Sequence, residues 1–250
     1  MKLGVLGGTF DPIHNGHIAA AQAAQDQLGL DAIMLMPSRI PPHRQDPVGA
    51  TSEQRFEMAQ LAAAEHQGWS ASRIEVDREG PSYTFDTLTE LRGLALTLRQ
   101  AQGHPERSRG MSERGASRSD GPSESKGTQI FFIIGTDAFA EIATWSRYPA
   151  VLGLANFVVV SRTGITLNSL RERVPSAFRH HPPCTPSDLR VLDSETPRVI
   201  LVEANTPDIS STDIRRRVRA GDPFDDLVPE AVARYITAHR LYAGPPMAQN

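Results

Sequence analysis

The sequence predicts an α/β protein, a parallel sheet covered by helices on both faces, and three observations carry that expectation. Short apolar runs alternate with helical patterns along most of the chain, the first run halts at a glycine pair and passes directly into an alanine-rich helix, and QIFFIIG and NFVVVSR read as buried strands. Such alternation implies right-handed crossovers between parallel strands. In chain order, residues 3–6 form a strand stopped by Gly7 and Gly8, and HIAAAQAAQDQLG is a helix ending at Gly29. AIMLMP is a strand closed by Pro37, and SEQRFEMAQLAAAEH is a helix with Ser52 as N-cap and Phe56, Ala59 and Ala63 along one face. ASRIEV reads as a strand and SYTFDTLTELRGL as a helix, before the two buried strands named above. Near the end, TDIRRRVRAG is a helix that either Ser210 or Ser211 can cap, with Ile214 and Val218 toward the core and Gly221 as its stop.

With 250 residues, 39% of them hydrophobic, the chain can bury a sizeable core, and we expect a single domain over residues 1–243 with a flexible tail at 244–250. Between about residues 100 and 128 the pattern collapses, and Met111 is the one large apolar side chain in the stretch. A disordered insertion is expected there, because such a segment cannot bury enough surface to offset its ordering entropy. Glu106, Glu113, Asp120 and Glu124 interleave with its arginines, so it reads as a solvated spacer rather than an RNA-binding arm. The formal net charge of −3 and a pI near 6.2 argue against nucleic acid or an anionic membrane as partner, so any phosphate-binding cations must be local.

A single cysteine, Cys184, excludes an internal disulfide and fits a reducing cytoplasm. His180 and His181 lie near it in RHHPPCTPSD, but two prolines and the lack of a fourth ligand favour a plain loop over a metal site. Asp11, His14 and His17 cut off the apolar start before an export signal can develop. No run reaches the roughly 20 apolar residues a membrane-spanning helix needs.

The chemistry is concentrated in GGTFDPIHNGH, at the first strand-to-helix turn. In parallel α/β sheets that turn holds phosphate at a helix N-terminus, where glycines permit close approach and the helix dipole supplies about half a positive charge. His14 and His17, three apart, share one helical face, and Gly16 leaves space between them. A dinucleotide-binding turn is disfavoured: the spacing is G-x-x-G-G rather than G-x-G-x-x-G, and AIMLMPSR ends without the acid that would hold a ribose hydroxyl. Zinc binding lacks a third ligand of matching spacing.

GGTFDPIHNGH closely resembles the H-x-G-H signature of the nucleotidyltransferase superfamily, and ISSTDIRRR, far downstream, resembles its second signature, I-S-S-T-x-I-R. Between them PPHR, SYTFDTL, IIGTDAF and TWSRY resemble landmarks of the bacterial nicotinate-nucleotide adenylyltransferases. The likeness runs from residue 2 to about residue 242 and excludes the insertion. It implies a Rossmann-like fold of nucleotidyltransferase type with C-terminal helices. It also implies transfer of AMP from ATP to nicotinate mononucleotide, with release of pyrophosphate.

That resemblance assigns roles to individual residues. His14, His17 and Arg215 would be catalytic, with His17 at the α-phosphate. Gly8, Thr9, His43, Arg44, Gly135, Asp137, Ser210 and Thr212 would join His17 and Arg215 in binding ATP, Asp137 through a ribose. Thr9, Phe10, Thr84, Trp145 and Ser146 would bind nicotinate mononucleotide, with Trp145 stacking on the pyridine ring; Ser146 stands where most family patterns carry tyrosine. Magnesium is expected to arrive on the ATP phosphates with no direct protein ligand, Asp11 acting at most through metal-bound water. His43 and Arg44, in a proline-stiffened loop, could close over the β- and γ-phosphates as a lid. Arg216, Arg217 and Arg219 read as a solvated face.

Three rival readings stand beside this one. Phosphopantetheine adenylyltransferase would share the histidines but not SYTFDTL and Trp145, a nicotinamide mononucleotide preference differs by one group, and a regulator could keep the fold without the chemistry. Self-association is compatible with the sequence.

Overall fold

A computed structural model describes residues 1–42, 49–102, 127–161, 184–188 and 197–243. His43, Arg44, His180, His181, the tail at 244–250 and residues 103–126 of the expected insertion lie outside the described residues.

Among the described residues six strands form one sheet: β1 (Lys2–Gly8), β2 (Ala32–Pro37), β3 (Trp69–Ala71), β4 (Gln129–Gly135), β5 (Asn156–Val160) and β6 (Val199–Val202). Every strand pair is parallel, and the order is β3-β2-β1-β4-β5-β6. The direction of winding therefore reverses between β1 and β4, and a ligand crevice is expected beyond their carboxyl ends. Both faces are apolar because successive side chains alternate. Phe131 and Ile133 join one core cluster while Phe132 and Ile134 join the other, which is why this strand reads as a continuous apolar run.

On the first face pack α1 (Asn15–Leu28), α2 (Ser52–Ala64), α6 (Ser211–Ala220) and α7 (Glu230–Ala238), contributing Ala24, Ala59, Ile214 and Ile236 among others. The second face is covered by α4 (Thr84–Gln102) and the short α5 (Thr136–Ala140), through Leu88, Leu91 and Phe139. Gly29 and Gly221 end α1 and α6 in the left-handed conformation, as the sequence predicts.

Four local expectations are corrected. Thr51, not Ser52, caps α2: its hydroxyl accepts from the Gln54 amide at 3.2 Å while the Gln54 side chain accepts from the Thr51 amide at 2.9 Å. This is a reciprocal capping box that Ser52, with Arg55 three residues on, cannot form. ASRIEV is not one strand, because β3 stops at Ala71 and α3 (Ile74–Asp77) is a helical turn braced by the Arg73–Asp77 ion pair. α4 runs on to Gln102, two residues beyond the expected start of the insertion. Cys184 is no free loop residue: it is buried, and its backbone makes a parallel bridge with Ile200, exchanging hydrogen bonds with Val199 and Leu201.

Candidate active site

A cleft of about 690 Å³ opens where the fold predicts, lined at the strand ends by Gly7 and Gly8 of β1, Ile134 and Gly135 of β4, Val160 at the end of β5 and Ser161 just after it. His14, Gly16 and His17 approach it from the start of α1, and Ser210, Ser211, Thr212 and Arg215 from the start of α6. Two helix N-termini, with their partial positive charge, thus face one space, an arrangement suited to a polyanion.

The histidines are closely fixed. His14 has extended backbone as the N-cap of α1 and His17 sits in its first turn, so they are not both within the helix. Their rings nevertheless stack, with centroids 3.7 Å apart and planes at 30°. Gly16 makes this possible, since a Cβ there would lie 3.0 Å from His14 Nδ1 and 3.4 Å from the Pro207 carbonyl. Phe10 meets the His17 ring edge-on at 5.1 Å, and its own ring fills the space that a Cβ on Gly8 would occupy, 2.7 Å from the nearest ring carbon. The His14 amide donates to His17 Nδ1 at 3.3 Å. An imidazole accepting at Nδ1 carries its proton on Nε2, so neutral His17 is a donor at Nε2.

The second signature is tied to the first. Ser210 caps α6 by accepting from the Asp213 amide at 3.1 Å, while Ser211 donates to the Pro12 carbonyl at 2.9 Å, which assigns the two serines separate tasks. Arg215 donates from Nη2 to Thr212 at 3.1 Å and from Nη1 to the Asp11 carbonyl at 2.7 Å. Arg216 and Arg217 instead pair with Asp213 on the outer face of α6, in keeping with the solvated face expected of them.

Asp137 lines the cleft from the first turn of α5, and Gly135, not Asp137, is the N-cap. Thr9, Thr84 and Trp145 are also on the wall, and Trp145 touches the Phe132 ring edge-on at 6.1 Å. Pro41 and Pro42 line the cleft as well, while their neighbours His43 and Arg44 fall outside the described residues. Phe10 lines the cleft too, although largely buried, and its ring braces His17 and Gly8. Two expected residues, Ser146 and Asp11, are not on the wall. Ser146 is half-buried and off the cleft wall. Asp11 also lies off the wall, its carboxylate engaged by the Gly49 and Ala50 amides and the Tyr242 hydroxyl, which leaves it poorly disposed to order metal-bound water.

Sequence reasoning missed the supports behind the wall. Arg55 is buried, and its guanidinium donates to the carbonyls of Thr9, Ser38, Arg39 and Ala50, stitching the glycine turn to the loop after β2. Its signal was a charged residue on the buried stripe of Met58, Ala59 and Ala62. Glu75 lines the cleft and accepts from Thr87 at 2.7 Å. Burial pushes its carboxyl above the ordinary 4.5, against hydrogen bonds from Thr87 and Ser82 and the nearby Arg78 charge.

The folded chain therefore holds the Glu75 proton more tightly than the unfolded chain does. Its contribution is most favourable below the ordinary carboxylate value and is lost as pH rises to the raised folded value. Glu75→Gln lacks this titration, so its stability relative to the native protein should climb with pH from about 4.5 upward, as read by urea unfolding at a series of pH values. A difference that stays flat with pH contradicts this.

A profile of the cytidylyltransferase-like family matches residues 5–217. A Geobacter protein (strain M21) named "Probable nicotinate-nucleotide adenylyltransferase" is 35% identical over 242 residues, spanning 97% of this chain and 98% of that one. A Moorella thermoacetica protein of the same name is 36% identical over 244 residues, spanning 96% and 91%. The chain belongs to this family, among the nicotinate-nucleotide adenylyltransferases. The fold agrees: nicotinic acid mononucleotide adenylyltransferase of Plasmodium falciparum, solved with APC and with NaAD, superposes with a TM-score of 0.62 in both cases. Those two structures share 13% and 14% identity with this adenylyltransferase and cover 96% of it, so they speak to architecture alone. Among the described residues of the adenylyltransferase, no helix is long and apolar enough to cross a membrane, and no cluster of three or more histidine, cysteine or acidic side chains is built to hold a metal.

Proposed function

We propose that the protein transfers the AMP moiety of ATP to nicotinate mononucleotide, yielding nicotinate adenine dinucleotide and pyrophosphate, a step of NAD synthesis. The observation that carries this reading is the convergence of both signatures, each at a helix N-terminus, on one cleft at the switch point between β1 and β4. The full-length relatives of the same name support it.

The chemistry asks little covalent work of the protein. The attacking phosphate monoester has a second pKa near 6 and is mostly dianionic at neutral pH, so it needs no side-chain base. Cys184 is buried, and burial raises its thiol pKa, which leaves it unsuited as a nucleophile. Direct in-line attack on the α-phosphorus follows, and the protein's task is to align two anions and stabilise the charge between them.

His17 Nε2 is the donor we assign to the α-phosphate, with His14 stacked behind it, while the N-terminus of α6 and Arg215 receive the outer phosphates. In this reading Gly8, Thr9 and Gly135 give close backbone approach, and Asp137, on the cleft wall, accepts from a ribose hydroxyl. Trp145, Thr84 and Thr9 frame the pyridine nucleotide. The metal ion, in this reading, is carried in on the nucleotide phosphates. Magnesium so bound would neutralise the β,γ-phosphates and improve the leaving group. A reducing, cytoplasmic setting accords with the single cysteine.

The reading is tested by incubating the protein with ATP, magnesium and nicotinate mononucleotide and resolving the products. Equal amounts of the dinucleotide and pyrophosphate are expected, with no α-phosphate label left on the protein; labelled protein overturns direct attack, and absence of dinucleotide overturns the function. Stacking at Trp145 makes a second expectation. Trp145→Ala should raise KM for nicotinate mononucleotide roughly 5- to 10-fold while leaving KM for ATP nearly unchanged, and equal effects on both would mark a structural tryptophan.

A further inference from the structure

Asp11 stands at the meeting point of three distant parts of the chain. Its side chain is fully buried, with Oδ1 accepting from the Ala50 amide at 3.0 Å and from the Tyr242 hydroxyl at 3.0 Å. Oδ2 accepts from the Gly49 amide at 2.9 Å and lies 3.5 Å from Arg215 Nη1, the same nitrogen that donates to the Asp11 carbonyl. The packing is equally close. A Cβ on Gly49 would lie 2.9 Å from the Tyr242 ring and 3.2 Å from Arg215 Cδ, so glycine alone lets the tyrosine and the arginine sit side by side. Tyr242 itself adopts φ 63, a left-handed backbone that a side chain of its size rarely takes, and Phe10, next to Asp11, has φ 52. Strained residues persist where the surroundings over-determine them, and they cluster at functional sites.

We propose that Asp11 is a positioning residue for Arg215 and that Tyr242, more than two hundred residues away in sequence, holds Asp11 in that role. The inference rests on Arg215 as a ligand of the ATP phosphates. Free arginine side chains lose rotamer freedom when they grip a phosphate; here the acceptors on Asp11 and Thr212 fix the guanidinium beforehand, so that loss is already met before ATP arrives. The tyrosine is a dependable donor. Burial, reinforced by the Asp11 charge, pushes its hydroxyl far above the ordinary value, so it keeps its proton throughout the working range.

A double-mutant cycle on ATP affinity, measured by calorimetry and needing no turnover, tests the linkage. Tyr242→Phe removes the hydroxyl and keeps the ring against Gly49. It should weaken ATP binding about 5- to 10-fold in the native background and by less than about 2-fold in an Arg215→Ala background, with the calorimetric affinity for nicotinate mononucleotide unchanged. Asp11→Asn should follow the same pattern with a larger first effect. Losses of equal size in both backgrounds, or no loss from either variant, overturn the inference. Turnover of the native protein decides the function separately: a protein that couples these residues in ATP binding yet makes no dinucleotide would lose the proposed reaction and keep the positioning role.

Discussion

His17→Ala lowers kcat by about 10²- to 10³-fold, the loss expected when one preorganised donor to a developing oxyanion is removed. The expectation follows from the geometry around the ring. The His14 amide faces Nδ1, Phe10 closes one edge and His14 stacks on a face, so Nε2–H is fixed before substrate arrives. Because the side chain is half-buried and its contact with the His14 amide lies at the very start of α1, the melting temperature should move by only a few degrees. KM for both substrates should change far less than kcat, since the contact is made most strongly in the transition state. A variant retaining near-native kcat would remove His17 from the reaction.

The second large effect is on stability. Arg55→Ala should destabilise the fold by about 3–5 kcal/mol, because it leaves the carbonyls of Thr9, Ser38, Arg39 and Ala50 without their shared donor and strips a buried cation whose charge reaches the Tyr242 hydroxyl. At roughly 2–4 °C per kcal/mol for a chain of this size, the midpoint should fall by about 6–20 °C. Arg55→Lys should rescue little of it, since a single ammonium cannot reproduce the planar fork that serves four carbonyls. Thermal melts of both variants check this, and a loss below about 1 kcal/mol would mean that water replaces the guanidinium freely.

The sheet was legible because burial on both faces leaves runs such as QIFFIIG that few other structures explain. What escaped were elements shaped by neighbours. VILV at residues 199–202 is four residues long, too short to carry its own signal, and becomes a strand by pairing with β5. Ile74 and Val76 alternate like a strand, yet the segment turns into a helix where Arg73 can bind Asp77, one turn on, and Glu53 on α2. Ser52 and Thr51 are equally good caps in isolation; only the glutamine three residues beyond Thr51 decides between them.

The site divides in the same way. Residues that touch the cleft from the two signatures, His14, His17, Ser210, Thr212 and Arg215, were visible because each signature is local in sequence. Arg55, Glu75 and Tyr242 act through contacts that chain folding alone creates. Tyr242 meets Asp11 across 231 positions and Arg55 reaches Thr9 across 46, distances at which periodicity and spacing carry no information.

The central claim is adenylyl transfer to the acid form of the pyridine nucleotide, and one measurement meets it most directly. Pyrophosphate release from ATP and magnesium should be followed with nicotinate mononucleotide, nicotinamide mononucleotide and phosphopantetheine as acceptors in parallel. The account predicts rapid release with the nicotinate form, much slower release with the amide and none with phosphopantetheine. Faster release with either of the other two, or none with any, would contradict it.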